Sequence, residues 1–341
     1  MIQQAIHKLV MKVDLSQGEA AAVMDQIMSG KATHSQIGAY LAAMSIKGET
    51  VDEIVGSAQT MRDRAVKINP KVDRLIDTCG TGGDRSNSFN VSTAAAFVVA
   101  GCGIPVAKHG NRSVSSRCGS ADVLEALGVS VDMTPNQTKM AIEQVGIGFL
   151  FAPTYHPAMR HAALPRREIG IKSIFNILGP LANPAGVNHQ VVGVFSPHIV
   201  RKMAEALAML GIERGMVVSG ASGLDEIPCF ETARACLIDR GSVVEFELDP
   251  RDHGMGLSGS LDEIRGGNAA DNARLILDVL SGSTGVARNI VILNAAAAIY
   301  VSGEAPDLRT GIQAAADSID SGAAMAKLRD LIEFGRSVAT A

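Results

Sequence analysis

Residues 77–120, DTCGTGGDRSNSFNVSTAAAFVVAGCGIPVAKHGNRSVSSRCGS, constrain the fold of this chain more than any other stretch. An apolar run at 75–79 reads as a strand and passes into Gly80-Thr81-Gly82-Gly83-Asp84. Three glycines there let the backbone turn its N–H groups toward one point, a geometry that holds phosphate. Asn90-Val91-Ser92-Thr93 then opens a small-residue helix with hydroxyl groups and the positive end of its dipole. A second strand over 104–107 delivers Lys108-His109-Gly110-Asn111-Arg112-Ser113, followed by Ser115, Ser116, Arg117 and Ser120. Strand, helix and strand in this order predict parallel pairing, in which neighbouring strands release their loops on one edge and ligands sit in the crevice there. Turn-making alone accounts for either loop. The two together, with Lys108, Arg112 and Arg117, point to a ligand carrying several phosphates.

The alternation continues along the chain. Strands are expected at 148–151, 191–195 and 216–219, and helices near 91–100, 121–127, 135–145 and 199–210. Residues 242–248 alternate apolar and polar, which suits an exposed antiparallel edge strand. From about 269 onward the pattern returns to helices with small apolar faces, at 294–300, 311–319 and 324–334. Before the first strand, Ser16 with Glu19, Thr33 with Gln36 and Thr50 with Glu53 each announce a helix. This opening bundle has spare apolar surface, for dimer contact or for covering the main domain.

With 341 residues, 47% of them hydrophobic, the chain can bury a large core in about two domains. Its 31 basic and 35 acidic residues give a net charge of −4, which invites neither nucleic acid nor an anionic membrane. No leader pattern and no membrane-length apolar run is seen, so a cytoplasmic protein is expected. The five cysteines lack metal-type spacing and read as free thiols; Cys79, beside the glycine loop, has no evident base to make it a nucleophile.

Between the third and fourth strands, residues 153–184 carry prolines at 153, 157, 165, 180 and 184 that should break helical structure repeatedly. His156, Arg160, His161, Arg166 and Arg167 make this crossing the second most basic cluster, either a solvated face or the wall of a second pocket. Residues 220–226, GASGLDE, place Asp225 and Glu226 at a strand end on the phosphate-binding edge. Mg²⁺, which prefers carboxylates plus substrate phosphate oxygens, suits that position. There is no G-x-x-x-x-G-K-[ST] motif and no nucleophile elbow, and Gly101-x-Gly103 precedes a strand where a dinucleotide fingerprint would follow one.

The ordered set GTGGD, NVST, KHGNRSVSS, FNILGPLANP and GLDE resembles anthranilate phosphoribosyltransferase, and the match extends over nearly the whole chain. The resemblance implies an α/β protein: a small all-helical domain (1–70, joined by helices from about 156–185) and a large α/β domain (71–155 and 186–341) with a mostly parallel central sheet flanked by helices. It implies a homodimer and Mg²⁺-dependent transfer of phosphoribose from phosphoribosyl pyrophosphate to the amine of anthranilate in tryptophan biosynthesis. It places Gly80, Gly83, Asp84, Ser88, Asn90, Val91, Ser92, Thr93, Lys108, Asn111, Ser113, Ser116 and Ser120 against the sugar substrate. Gly80, Asn111, Arg166 and His156 would hold anthranilate, with His109, Gly179 and Pro180 lining the path, and Ser92, Asp225 and Glu226 would hold the metal. Lys108, His109 and Asn111 are the catalytic candidates; His109 serves either as late proton acceptor or as a positioning group. The family often has His-Gly before GLDE, where this chain has Ser219-Gly220, and a small polar residue where Pro228 stands. Two rivals remain: a pyrimidine nucleoside phosphorylase of the same fold, and a non-catalytic nucleic-acid-binding relative, which a pI of about 6.1 disfavours.

Overall fold

The computed structural model describes residues 1–113 and 117–339. The chain opens with α1 (Ile2–Val10), a helix without a sequence signal because its N-cap is Met1 and no side chain caps it. The three anticipated helices follow: α2 (Gln17–Met28), α3 (His34–Lys47) and α4 (Val51–Asp63). Each begins with a reciprocal capping box, at Ser16, Thr33 and Thr50, a device worth about 1 kcal/mol per helix. Glu53 does more than cap, since its buried carboxylate also takes the Leu15 N–H at 2.9 Å and the Lys47 ammonium at 2.9 Å.

The α/β part then runs β1 (Ile76–Gly80), α5 (Val91–Gly101), β2 (Val106–Gly110), α6 (Ser120–Ala126), α7 (Pro135–Gln144) and β3 (Ile147–Phe151). The crossing folds as α8 (Ala152–Tyr155), α9 (Arg160–Ile169) and α10 (Phe175–Leu181). Here the expectation that every proline interrupts helix is corrected. Pro165 and Pro180 lie inside α9 and α10 and are both buried, and burial of the apolar ring offsets the one helical hydrogen bond that each position lacks. The chain continues through β4 (His189–Gly193), α11 (Val200–Met209), β5 (Arg214–Gly220), β6 (Ala233–Asp239) and β7 (Ser242–Leu248), and closes with α12 (Ala269–Leu280), α13 (Val286–Val301), α14 (Leu308–Asp320) and α15 (Ala323–Ala339).

The strands form one seven-stranded sheet in the order β3-β2-β1-β4-β5-β6-β7. Pairing is parallel from β3 to β5 and antiparallel through β6 to β7, so residues 242–248 form the edge strand that their alternation predicts. β6 carries no such signal: Ala233, Arg234 and Asp239 have weak strand preference, and its pairing to two neighbours supplies what propensity does not. The pleat divides two cores. Ile76, Val106, Ile147, Val191 and Met216 pack with α5 and α13, while Cys79, Ala107, Leu150, Val192 and Val217 pack with the helical opening, α10 and α11. The chain order reverses between β1 and β4, the switch point at which a parallel sheet opens a crevice along its carboxyl edge. Among the described residues no helix is long and apolar enough to cross a membrane.

Candidate active site

The switch point gathers the anticipated loops. Thr81 donates its N–H to the Gly193 carbonyl at 2.9 Å, and its hydroxyl accepts the Phe195 N–H at 3.1 Å, so the glycine loop after β1 is stitched to the end of β4. The loop after β5 comes in against both strands. A Cβ on Gly80 would overlap the Asp225 carboxylate and one on Gly193 would overlap the Asp225 carbonyl, so only glycine permits that approach. Asp225 Oδ2 accepts the Gly82 N–H at 2.7 Å. Of the loop N–H groups that the glycines let turn toward one point, those of Thr81 and Gly82 are spent internally. Those of Gly83 and Asp84 have no hydrogen-bond partner among the described residues. Ser86 bridges the far side of the loop, donating its hydroxyl to Ser88 Oγ at 3.2 Å while its N–H reaches Asp84 Oδ1 at 3.2 Å.

Asn90 is the N-cap of α5 but caps nothing with its side chain, which donates to the Cys118 carbonyl at 3.3 Å and accepts from Asn272 at 2.9 Å. The first turn of α5 instead meets a carboxylate: Glu226 Oε1 accepts the Ser92 N–H at 3.1 Å, where the helix dipole favours negative charge. Val91 is buried in the core, and the hydroxyl of buried Thr93 has no partner among the described residues.

Successive residues of β2 serve opposite faces of the sheet, as strand periodicity requires. Lys108 lies on the α5 side, its ammonium donating to the Thr78 carbonyl at 2.6 Å and the Ser92 hydroxyl at 3.3 Å. His109 lies on the side of the crossing, its ring centroid 5.1 Å from that of His156. Burial lowers the Lys108 pKa, while Asp77, Cys79 and Glu226 draw it back up. Burial first, and the neighbouring His156 next, lower His109 to about 3, against the opposing Gly179 backbone. Burial lowers His156 to about 4. Both rings are therefore neutral at physiological pH, and Nε2 of each is buried without a partner among the described residues.

After β2, Asn111 accepts at its carbonyl from Ala121 N–H and the Ser120 hydroxyl, both at 3.2 Å, while Asp122 takes the N–H groups of Ser113 and Gly119 at 3.1 and 2.8 Å. This folds Asn111, Ser113 and Ser120 onto the start of α6. Arg112, anticipated as a ligand cation, is paired instead with Asp122 and Glu125 on the exposed side of α6. Ser116 lies outside the described residues.

Asp225 is pushed up to about 7, by burial first and then by the charge of Asp84. Glu226 is raised well above the usual carboxylate range by burial and then by Asp225. Carboxylates that resist ionising together are relieved by a cation, and the all-oxygen set of Asp225, Glu226 and the Ser92 hydroxyl suits a hard one. Among the described residues no group of three or more His, Cys, Asp or Glu makes a metal cage by itself, so such an ion would take further ligands from the substrate or water. On the crossing, the Arg166 guanidinium sits 4.9 Å above the Phe175 ring with no ion pair among the described residues, its pKa lowered by burial.

Sequence reasoning missed several supports. Asn294, a lone polar residue in the apolar run of α13, accepts the Ile227 N–H and donates to the Ile227 carbonyl, both at 2.9 Å, and so fixes the acid loop. Asn183 and Gln190 surround buried Asp77. Lys172 overhangs the glycine loop.

Comparison with known proteins shows the family. Residues 3–65 match the helical bundle domain of a glycosyl transferase family, and residues 72–325 match its a/b domain. Anthranilate phosphoribosyltransferase of Acetivibrio thermocellus is 51% identical over 337 residues, covering 99% of this chain and 97% of that protein. The enzyme of Pelotomaculum thermopropionicum is 52% identical, covering 98% and 96%. Among solved structures, anthranilate phosphoribosyltransferase from Thermus thermophilus superposes with a TM-score of 0.91 at 40% identity, covering 97% of this chain and 99% of that one. The enzyme from Saccharomyces cerevisiae, in complex with PRPP and Mg, does so with 0.89 at 25% identity, covering 98% of each. With both halves of the chain matched and its length spanned by relatives at about half identity, the protein belongs to the anthranilate phosphoribosyltransferase family.

Proposed function

We infer that this protein transfers the phosphoribosyl group of 5-phosphoribosyl 1-pyrophosphate to the amine of anthranilate, releasing pyrophosphate, in tryptophan biosynthesis. The observation that carries the reading is the division of labour on β2: Lys108 faces the phosphate loops and His109 the crossing that bears Arg166. Two chemically different substrates would meet across one strand end.

In this reading the open N–H groups of Gly83 and Asp84, with Ser88, Asn90, Ser92, Thr93, Ser113, Ser116 and Ser120, cradle the diphosphate and the 5-phosphate. The bond between C1 of the ribose and the diphosphate oxygen breaks as the amine nitrogen bonds to C1. Lys108 is fixed by Thr78 and Ser92 before the reaction, so its charge stabilises the departing oxygens without reorganisation. Ser92, Asp225 and Glu226 would hold Mg²⁺, which when bound supplies positive charge to the leaving diphosphate. Arg166 would pair with the anthranilate carboxylate, and Asn111 and His156 would orient the ring. A ring whose pKa lies near 3 is a poor proton acceptor, so His109 is assigned to positioning; the proton that the nitrogen sheds on bonding leaves to water or to pyrophosphate.

We take residues 1–70 and the crossing as one domain and the sheet with its helices as the other. A cytoplasmic homodimer is part of the same proposal, and Val10, Met11, Val13 and Ile46, exposed on the helical opening, favour contact there. Loss of anthranilate fluorescence on adding phosphoribosyl pyrophosphate and Mg²⁺ is the expected result. Phosphorolysis of thymidine or uridine without anthranilate turnover would replace this reading with the phosphorylase.

A further inference from the structure

Lys172 belongs to the linker between α9 and α10, just beyond Gly170, whose left-handed conformation (φ 62°) ends α9. Its two ends serve different parts of the molecule. The backbone carbonyl accepts the Ser45 hydroxyl of α3 at 3.1 Å, so the residue is anchored to the helical bundle. The side chain crosses to the sheet edge, where its ammonium stands 3.7 Å from the centroid of Phe195, the second residue beyond β4. An aromatic face holds a cation in place without neutralising it.

From that platform the side chain overhangs the glycine loop. A Cβ on Gly83 would lie 3.5 Å from Lys172 Cε and 3.8 Å from Nζ. Gly83 and Asp84 are the loop residues whose N–H groups have no hydrogen-bond partner among the described residues. Lys172 makes no ion pair among the described residues; Asp84 and Asp225 attract it, and Arg85 adds a second cation to the same neighbourhood. A lysine that served only as counter-ion to those acids would be drawn into direct contact with one of them. This one is held above the loop, beside unspent donors and a second positive charge, where an anion completes the set.

We propose that Lys172 binds the diphosphate of the sugar substrate at the glycine loop, and that this contact ties the crossing, and through Ser45 the helical bundle, to the sheet edge when substrate arrives. The proposal rests on the reading that residues 80–84 hold diphosphate. It gives the crossing a phosphate-binding residue in addition to Arg166, which is assigned to the other substrate.

The test uses inorganic pyrophosphate as probe, titrated calorimetrically into the intact wild-type protein, Lys172→Met and Lys172→Arg, with Mg²⁺ and with EDTA. Lys172→Met should weaken pyrophosphate roughly tenfold under both conditions, as expected for losing one charge-assisted contact. Lys172→Arg should keep most of the affinity. In steady state the KM for phosphoribosyl pyrophosphate should rise by a similar factor while that for anthranilate stays put. Because the side chain is exposed, both variants should melt within a degree or two of wild type. Unchanged pyrophosphate affinity in Lys172→Met, whether or not its melting temperature falls, overturns the role of Lys172 and leaves the function of the enzyme standing. If the wild-type protein itself binds no pyrophosphate, the reading of the glycine loop fails and takes this proposal with it.

Discussion

Asp77 and Asn183 meet in the interior: Asn183 Nδ2 donates to Asp77 Oδ2 at 2.8 Å, joining β1 to the end of the crossing. The same amide donates to the Ala107 carbonyl at 2.8 Å, while Asp77 Oδ1 accepts the His109 N–H at 3.2 Å. One buried carboxylate thus holds β1, β2 and the crossing in fixed relation. Its pKa is raised by burial, against which Lys108, Asn183 and the His109 N–H all act.

Removing Asn183 should be expensive, because it strips a buried carboxylate of its shortest hydrogen bond. Asn183→Ala should cost about 2–3 kcal/mol. Asp77→Asn added to it should cost clearly less than the two single changes summed, since the pair is coupled. Urea titrations of the four proteins measure this directly. Additive losses would mean that the two side chains do not depend on each other.

Arg166→Ala tests the substrate assignment on the crossing. A charge-assisted contact to a carboxylate contributes about 1.5–3 kcal/mol, so the KM for anthranilate should rise roughly 10- to 100-fold while that for phosphoribosyl pyrophosphate changes little. The Phe175 ring beneath the guanidinium keeps its own packing in the variant, and Arg166 has no ion pair among the described residues to lose. Equal rises in both constants would remove Arg166 from the anthranilate pocket.

The parts of this fold that announce themselves in sequence are those governed by local rules. Ser16, Thr33 and Thr50 mark their helices because a cap and its partner lie three residues apart, and residues 242–248 show their edge position by alternation. The glycine loop and the Lys108 loop can be paired in advance because β1 and β2 are neighbours in a parallel sheet. What stayed hidden depends on distant contacts. Arg112 carries the same charge as Lys108, yet pairs with α6, and nothing local distinguishes the two. Nor does residue order show that Asp225 consumes the Gly82 N–H, or that Lys172, 89 positions from Gly83, returns to overhang it. Pro165 and Pro180 mislead because burial, which no short window displays, outweighs the missing N–H.

His109 and His156 make a pH prediction. Their folded pKa values, about 3 and about 4, lie below the 6.5 of an exposed histidine. Between those limits the unfolded chain binds more protons than the native one, so this contribution to stability is complete above pH 6.5 and is lost as pH falls toward 4 and then 3. Replacing either ring by asparagine should remove about 2 kcal/mol of the stability lost between pH 7 and pH 5. Urea titrations at the two pH values give the difference. A variant with the same pH slope as wild type would show that the ring titrates in the native protein as it does in the unfolded chain.

Asp225 and Glu226 test the acidic loop with two readouts that move in opposite directions. Asp225 carries the charge of Asp84 beside it in a buried setting, so making it neutral relieves repulsion. Asp225→Asn keeps an oxygen that can accept the Gly82 N–H, and Glu226→Gln keeps one for the Ser92 N–H, so both loops retain their stitching. In the absence of divalent metal the double variant should therefore melt at the same temperature as wild type or higher. With metal present it should need roughly tenfold more Mg²⁺ for half-maximal rate and show a depressed kcat, because neutral amides are weaker ligands for a hard cation. Titrating Mg²⁺ against both the melting temperature and the initial rate separates the effects. A metal titration identical to wild type would place the ion away from this pair, whatever happened to stability.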